Sequence, residues 1–274
     1  MKEGGVQLHL RYLKLSALGR YPQLVHGFST RRGGISQSPF SSLNLSLEVG
    51  DDPERVQENR RHLLKDLRIA GRPLVKVKQV HGDGMLMIDE ERAGRPGFPE
   101  EISSCSADAL LTAAPGIILT TSVADCVPIL LFDPKNGVIA SVHGGWRSTA
   151  GRLAAKVIRR LEEDFGTRPE DCVAALGPSI GLCCYEVDEP VIEAFAGSFR
   201  RWEELVRKKG QGRWHLDLLK ANEVLLLESS VSADSIFSAG YCVSCHTDLF
   251  FSHRRDGGNT GRMMGLAMLR DGNG

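Results

Sequence analysis

Three apolar runs, at 117–121, 127–132 and 138–142, follow one another with only turn-rich segments between them. They are short and show no helical period, so they predict strands; the Asp-Pro-Lys-Asn-Gly of 133–137 is the clearest turn. Pro128 belongs at a strand start or a sheet edge, because it donates no ladder hydrogen bond. Elsewhere the apolar spacing is helical. Asp52-Pro53-Glu54 opens a helix with a capping carboxylate and a proline in the first turn, and Val56, Leu63, Leu64 and Leu67 form its inner face. A second helix starts near Ser148 or Thr149 and runs through Leu153, Ala154, Val157, Ile158 and Leu161 to a stop at Gly166. A third covers 189–195 and a fourth 216–229. Three strands in a row before one helix predict an α+β fold, with mixed β-sheets and helices packed outside; the length fits one large domain or two small ones, and a single domain over 1–274 is the expectation. The Gly- and Pro-rich stretch 93–106 reads as a surface loop, and the C-terminal Asp-Gly-Asn-Gly as frayed.

Composition narrows the function classes. The 274 residues carry 34 basic and 34 acidic side chains, so the chain lacks the basic footprint of a nucleic-acid binder. Hydrophobic residues make up 42%, and at this length the core needs no disulfide or metal staple in order to fold. The most apolar stretch, 116–132, is interrupted by Asp125, and no apolar core follows the first residues, so no membrane contact and a cytoplasmic location are expected. Seven cysteines, an odd number, fit a reducing compartment as core filler, ligand or nucleophile.

Chemistry-bearing residues interrupt the apolar runs at three places: Gln79-Val80-His81-Gly82, Ala124-Asp125-Cys126-Val127-Pro128 and Val142-His143-Gly144-Gly145-Trp146-Arg147. Loops at strand ends are where a rigid scaffold presents functional groups. On the residues alone two readings stay open: hydrogen-bonded histidines with a core thiol, or a ligand set that only folding could assemble. Asp125 either braces a loop or moves protons; in an extended segment its side chain points away from that of Cys126. Three arginine–glycine clusters, Arg31-Arg32-Gly33-Gly34, Gly144-Gly145-Trp146-Arg147 and Arg254-Arg255-Asp256-Gly257-Gly258, combine guanidinium forks with converging amides, which suits an anion or a solvated turn. Trp146 either stacks on a base or fills core. Cys242-Val243-Ser244-Cys245-His246 matches a haem-attachment pattern that belongs to exported proteins; with no second ligand pair apparent, buried thiols are the expectation. The adjacent Cys183 and Cys184 are expected to pack rather than face one site.

These segments resemble the motifs of the YfiH-like family, whose members are labelled laccase-domain or multicopper polyphenol oxidase proteins. Further matching stretches include His26-Gly27-Phe28-Ser29-Thr30-Arg31-Arg32, Leu43-Asn44-Leu45, Ala107-Asp108-Ala109, Gly177-Pro178-Ser179-Ile180 and Phe250-Phe251-Ser252-His253-Arg254-Arg255-Asp256, followed by Thr260-Gly261-Arg262. The resemblance implies a zinc-containing purine nucleoside phosphorylase acting on adenosine, inosine and S-methyl-5′-thioadenosine, with adenosine deaminase activity. It carries Zn2+ onto His81, Cys126 and His143, which are also the catalytic residues it implies. A His/Cys/His set with an open fourth position is a catalytic zinc arrangement. Arg32 and Arg147 are the phosphate-binding candidates, with Asn44 and His253 as further pocket residues.

Two other functions compete. One is a cysteine hydrolase with Cys126 as nucleophile and His143 or His81 as base, acting on amides or peptidoglycan precursors. The other is a copper-dependent polyphenol oxidase, although eight scattered histidines are few for several copper ions. The expected partners are purine nucleosides and phosphate, with neither nucleic acid nor membrane. The oligomeric state stays open, a homodimer being one outcome.

Overall fold

The computed structural model describes residues 2–3 and 5–271; of the frayed C-terminal tail expected above, Gly272, Asn273 and Gly274 lie outside the described residues. Two sheets carry the architecture. A seven-stranded mixed sheet has the order Lys2–Glu3, Ile236–Ser238, Val173–Leu176, Val127–Asp133, Val138–Gly144, Ala109–Thr112, Met85–Met87. A six-stranded sheet has the order Val6–Leu8, Tyr12–Leu15, Leu24–Ser29, Met263–Leu269, Ile118–Val123, Leu74–Val75. The two pack face to face, strand Val138–Gly144 lying against Met263–Leu269 and Ile118–Val123. A small third sheet joins Glu186–Val187, Arg213–Leu216 and Val206–Gly210. The expected mixed sheets with outer helices are therefore found.

Side-chain alternation sorts the last strand between two apolar layers. Met263, Ala267 and Leu269 enter the main core between the sheets, whereas Met264, Leu266 and Met268 face the other way. There they meet Leu63 and Leu67, on and just after helix Pro53–Asp66, which covers the six-stranded sheet. Asp52 caps that helix, its side chain accepting from the Glu54 N–H, as the local sequence predicts. Helices Leu153–Phe165 and Leu218–Glu228 pack on each other outside the seven-stranded sheet. The central strand Val127–Asp133 is covered on both faces and buried at all seven positions, which is why it reads as one apolar run. Pro128 sits second in it, at its start but in mid-sheet.

Two local expectations change. The second helix is two helices, Trp146–Ala150 and Leu153–Phe165. Arg152 between them has a φ of 61°, and its guanidinium donates to the Ser198 carbonyl and the Glu228 carboxylate. These tertiary contacts hold a left-handed residue where an unbroken helix would otherwise continue. The stretch 93–106 is not a bare loop. It holds helix Phe98–Ser104 and follows Glu90–Ala93, and Phe98 and Ile102 are buried. The main core draws side chains from both sides of this stretch. Among the described residues, no helix is long and apolar enough to cross a membrane.

Candidate metal-binding active site

Strand pairing brings the scattered segments together. Cys126 immediately precedes strand Val127–Asp133, and His143 is the penultimate residue of its antiparallel neighbour, opposite Pro128. The hairpin turn is remote, so 17 positions in sequence collapse to neighbours at the open end. The next strand, Ala109–Thr112, pairs with the same neighbour and starts opposite Val142, which sets Asp108 beside His143; the His143 N–H donates to the Asp108 carbonyl at 2.8 Å. Strand Met85–Met87 then runs parallel to Ala109–Thr112, returning the His81 loop to the same end. The ligand atoms of His81, Cys126 and His143 all lie within 4.8 Å of one another. His81 is exposed, Cys126 half-buried and His143 buried.

Asp108 organises this centre, and sequence reasoning gave it no role. Its buried carboxylate accepts from His143 Nδ1 at 2.8 Å. It also accepts the backbone N–H groups of Val80, His81 and Gly82 at 3.2, 2.9 and 2.7 Å. One side chain thus fixes a ring and the loop that carries another. An Nδ1–H bound to a carboxylate leaves Nε2 as the free lone pair, the tautomer a metal ligand needs. Burial alone would raise the Asp108 pKa, but the His143 and backbone hydrogen bonds outweigh it and hold the carboxyl low. Burial likewise opposes ionising Cys126 and His143, yet their mutual attraction prevails. The thiol is driven down towards thiolate, and the imidazole, also bonded to Asp108, is driven up towards imidazolium, whose Nε2 proton is the one a metal would displace to expose the lone pair. The sequence signals for Asp108 are its place in the matching stretch Ala107-Asp108-Ala109 and a carboxylate at the head of an apolar run, neither of which names its partner.

The space between the three donors is kept open by Gly145. A Cβ there would stand 3.0 Å from His81 Cδ2, 3.3 Å from Cys126 Sγ and 3.6 Å from His143 Cε1. Two imidazoles and one thiolate match zinc's preference for N and S donors, and the missing fourth donor leaves a position for water or substrate. The donor set and this cradle fit a single metal ion.

The three donors lie on a cavity of about 470 Å³, within the range of small-molecule sites. Tyr185, His253, Arg254 and Arg262 form part of its wall, as do Gln79, Ser122 and Asp125. Gln79 donates to the Ser122 carbonyl and accepts its N–H, tying the His81 loop to the sandwich. Asp125, at a φ of 100°, accepts from Ser252 Oγ at 2.6 Å and from the Arg254 N–H at 2.7 Å, and its carbonyl accepts the Ile180 N–H. Of its two sequence readings, the brace describes its contacts. Burial pushes its pKa up against those hydrogen bonds.

The phosphate candidates scatter. His253 is on the wall. Asn44 lies beneath it, fully buried, with Oδ1 accepting the Arg262 N–H at 2.9 Å and Nδ2 donating to Asp51. Arg147 is off the wall, its guanidinium 4.1 Å from the centre of the half-buried Trp146 ring. Arg32 is farther away, engaged by the Asp248 carbonyl and carboxylate in a separate shallow depression. The arginines on the wall are instead Arg254, read in the sequence only as part of an arginine–glycine cluster suited to an anion, and Arg262, read only within a matching stretch; Arg254 Nη1 donates to the Glu186 carbonyl and Arg262 Nη1 to the carbonyls of Thr260 and Gly261.

A carboxylate–imidazole–thiolate array at the end of a two-sheet sandwich, joined by a second imidazole, defines a mixed α/β protein with a three-donor metal-type centre. The family described as multi-copper polyphenol oxidoreductase laccase matches residues 25–270, and the chain belongs to it. It is 36% identical over 260 residues to a purine nucleoside phosphorylase of Bacteroides thetaiotaomicron, covering 94% of this chain and 96% of that one. It is 37% identical over 240 residues to adenosine deaminase RL5 from an unknown prokaryotic organism, covering 87% and 92%. Among solved structures, YlmD from Geobacillus stearothermophilus superposes with a TM-score of 0.91 at 35% identity, covering 98% of this chain and all of that one.

Proposed function

We propose that this protein is a zinc-dependent purine nucleoside phosphorylase acting on adenosine, inosine and S-methyl-5′-thioadenosine, with adenosine deamination as a second activity. The carrying observation is that a His81/Cys126/His143 donor set and two arginines, Arg254 and Arg262, line one cavity. The names of relatives support its core: those from Bacteroides thetaiotaomicron and Geobacillus stearothermophilus are called purine nucleoside phosphorylases, and another is called an adenosine deaminase. When bound, zinc supplies Lewis-acid polarisation of an atom at its open position, or activation of water there.

The chain's own residues do the rest. Arg254 and Arg262 hold phosphate as charge-assisted donors. Asn44 is a positioning residue that fixes the Arg262 backbone. Arg32 acts outside the cavity, orienting the segment around Asp248 that precedes the Phe250–Asp256 stretch. In phosphorolysis a phosphate oxygen forms the new bond to C1′ as the C1′–N9 bond breaks, and the departing purine takes up a proton. His253 is the wall imidazole able to supply it.

The test is base release from inosine and adenosine, with and without phosphate, by wild type and Cys126→Ser. Phosphate-dependent formation of ribose 1-phosphate, lost in the variant, is expected. Release independent of phosphate would make the protein a nucleoside hydrolase.

The Cys126–His143–Asp108 array favours one second reading, a cysteine hydrolase. Alkylation separates the two. A metal-held thiolate is protected until chelation, whereas a free nucleophile reacts at once.

A further inference from the structure

Four of the seven cysteines converge away from the cavity donors. Cys183 and Cys184 lie in the turn that follows Gly181; Cys242 and Cys245 lie in the turn that follows Tyr241. All four Sγ atoms are within 4.8 Å of one another, Cys245 Sγ being 3.5 Å from Cys183 Sγ and 3.4 Å from Cys184 Sγ. This overturns the expectation that Cys183 and Cys184 only pack and that Cys242 and Cys245 lack a second pair. Adjacent side chains diverge in extended chain, but 181–184 is a turn, closed by the Cys184 and Tyr185 N–H groups on the Gly181 carbonyl, which swings both thiols to one side. Cys183 and Cys245 are exposed, so packing does not account for them.

We propose that Cys183, Cys184, Cys242 and Cys245 form a second, structural metal centre for a thiophilic divalent ion, zinc foremost. A tetrahedral ion with metal–sulfur bonds of about 2.3 Å separates its sulfurs by about 3.8 Å, inside the spread seen here. Four thiolates and no open position make a closed, structural site rather than a catalytic one. The surroundings are built for thiolate. The Gly181 N–H donates to Cys242 Sγ at 3.2 Å, and a Cβ at Gly181 would meet Cys242 Cβ at 3.2 Å and Cys183 Sγ at 3.3 Å. The Arg255 guanidinium, paired with the Asp256 carboxylate, also donates to the carbonyls of Val243 and Ser244 and so holds the turn between the two knuckle cysteines in place. Binding replaces the thiol protons, which leave to solvent, and changes no oxidation state.

The location gives the ion its purpose. The two turns are already stitched by the Ser179 N–H to the Tyr241 carbonyl and the Val243 N–H to the Ser179 carbonyl. Tyr185 follows Cys184 directly, and Cys245 leads into the segment that carries His253 and Arg254. An ion there ties together the backs of two cavity-wall segments without touching the cavity. The inference does not depend on the proposed reaction.

Metal analysis of protein reconstituted with zinc and freed of excess decides it. Wild type should hold two ions per chain, Cys126→Ser one, and Cys242→Ser/Cys245→Ser one. Cys126→Ser loaded with Co2+ should keep a strong thiolate-to-cobalt charge-transfer band, since the cavity centre then retains only its two imidazoles and these four sulfurs are the clustered thiols left. Stripping the ion from Cys126→Ser should lower its melting temperature and expose four thiols to a colorimetric reagent. Should the double variant fail to fold, Cys126→Ser alone still gives the answer. Cys126→Ser that retains no zinc and shows no cobalt–thiolate band overturns the proposal. So does an intact mass short of two or four hydrogens in freshly isolated protein, which would make the cluster a disulfide site.

Discussion

Asp108→Asn is nearly isosteric and still cannot satisfy its neighbours. The carboxylate faces four donors: His143 Nδ1–H and the N–H of His81 on Oδ1, with the N–H groups of Val80 and Gly82 on Oδ2. An amide has one acceptor end. If its oxygen takes the Oδ1 place, its NH2 opposes two backbone N–H groups, each left unpaired at about 1–3 kcal/mol. If it is turned round, the NH2 donates to His143 Nδ1, which drives the ring proton to Nε2 and removes the lone pair needed by a metal. Either arrangement weakens the centre, and loss of such a partner typically lowers metal affinity about 10–100-fold, or roughly 1.4–2.8 kcal/mol. The assay is a zinc titration in competition with a chromophoric chelator, run beside thermal unfolding of the metal-free protein. Asp108→Asn with wild-type zinc affinity would refute the claim that Asp108 sets the tautomer of His143 and the pose of the His81 loop.

Gly145→Ala should lower zinc affinity at least about tenfold while leaving the metal-free fold intact, because the new Cβ enters the gap among His81, Cys126 and His143 and not the core; the same titration checks it. His26, buried with Nε2 accepting the Leu15 N–H, has its pKa lowered to about 4 by burial and by the charge of Lys14. Its stabilising contribution is therefore complete above about pH 6.5 and is lost as pH falls towards 4, amounting to about 2 kcal/mol between pH 7 and 5. Urea melts of wild type and His26→Gln should converge by that amount, and parallel pH profiles would count against it. Gly177→Ala should unfold the protein or cost several kcal/mol, since its Cβ would lie 2.3 Å from Phe28 Cδ1 and 2.7 Å from Pro128 Cγ, with no flexible neighbour to give way; thermal melts read this directly. Arg262→Ala should raise KM for phosphate about tenfold or more with a smaller change in kcat, whereas equal losses in both would place Arg262 in the chemical step.

Local physics was legible in the chain. The Asp52 cap, the strands around 133–137 and the outer helices rest on capping, turn chemistry and side-chain period, which act within a few residues. The ligand set was not legible from spacing. Seventeen positions separate Cys126 from His143, and what identified them was the resemblance of whole motifs. Only the tertiary structure decided which polar residues meet. Antiparallel register put Asp108 beside His143, although nothing in Ala-Asp-Ala signals a ring partner. Sheet packing left Arg254 and Arg262 on the cavity wall while Asp248 engaged Arg32, a choice among chemically equal guanidiniums. The helix break at Gly151 and Arg152 answers to Ser198 and Glu228, far along the chain. The four distant cysteines, too, are joined only because Ser179 pairs with Tyr241 and Val243. A sequence encodes its elements through neighbours, whereas a site is a set of distances between strangers, and only the closing of the sheets sets those distances.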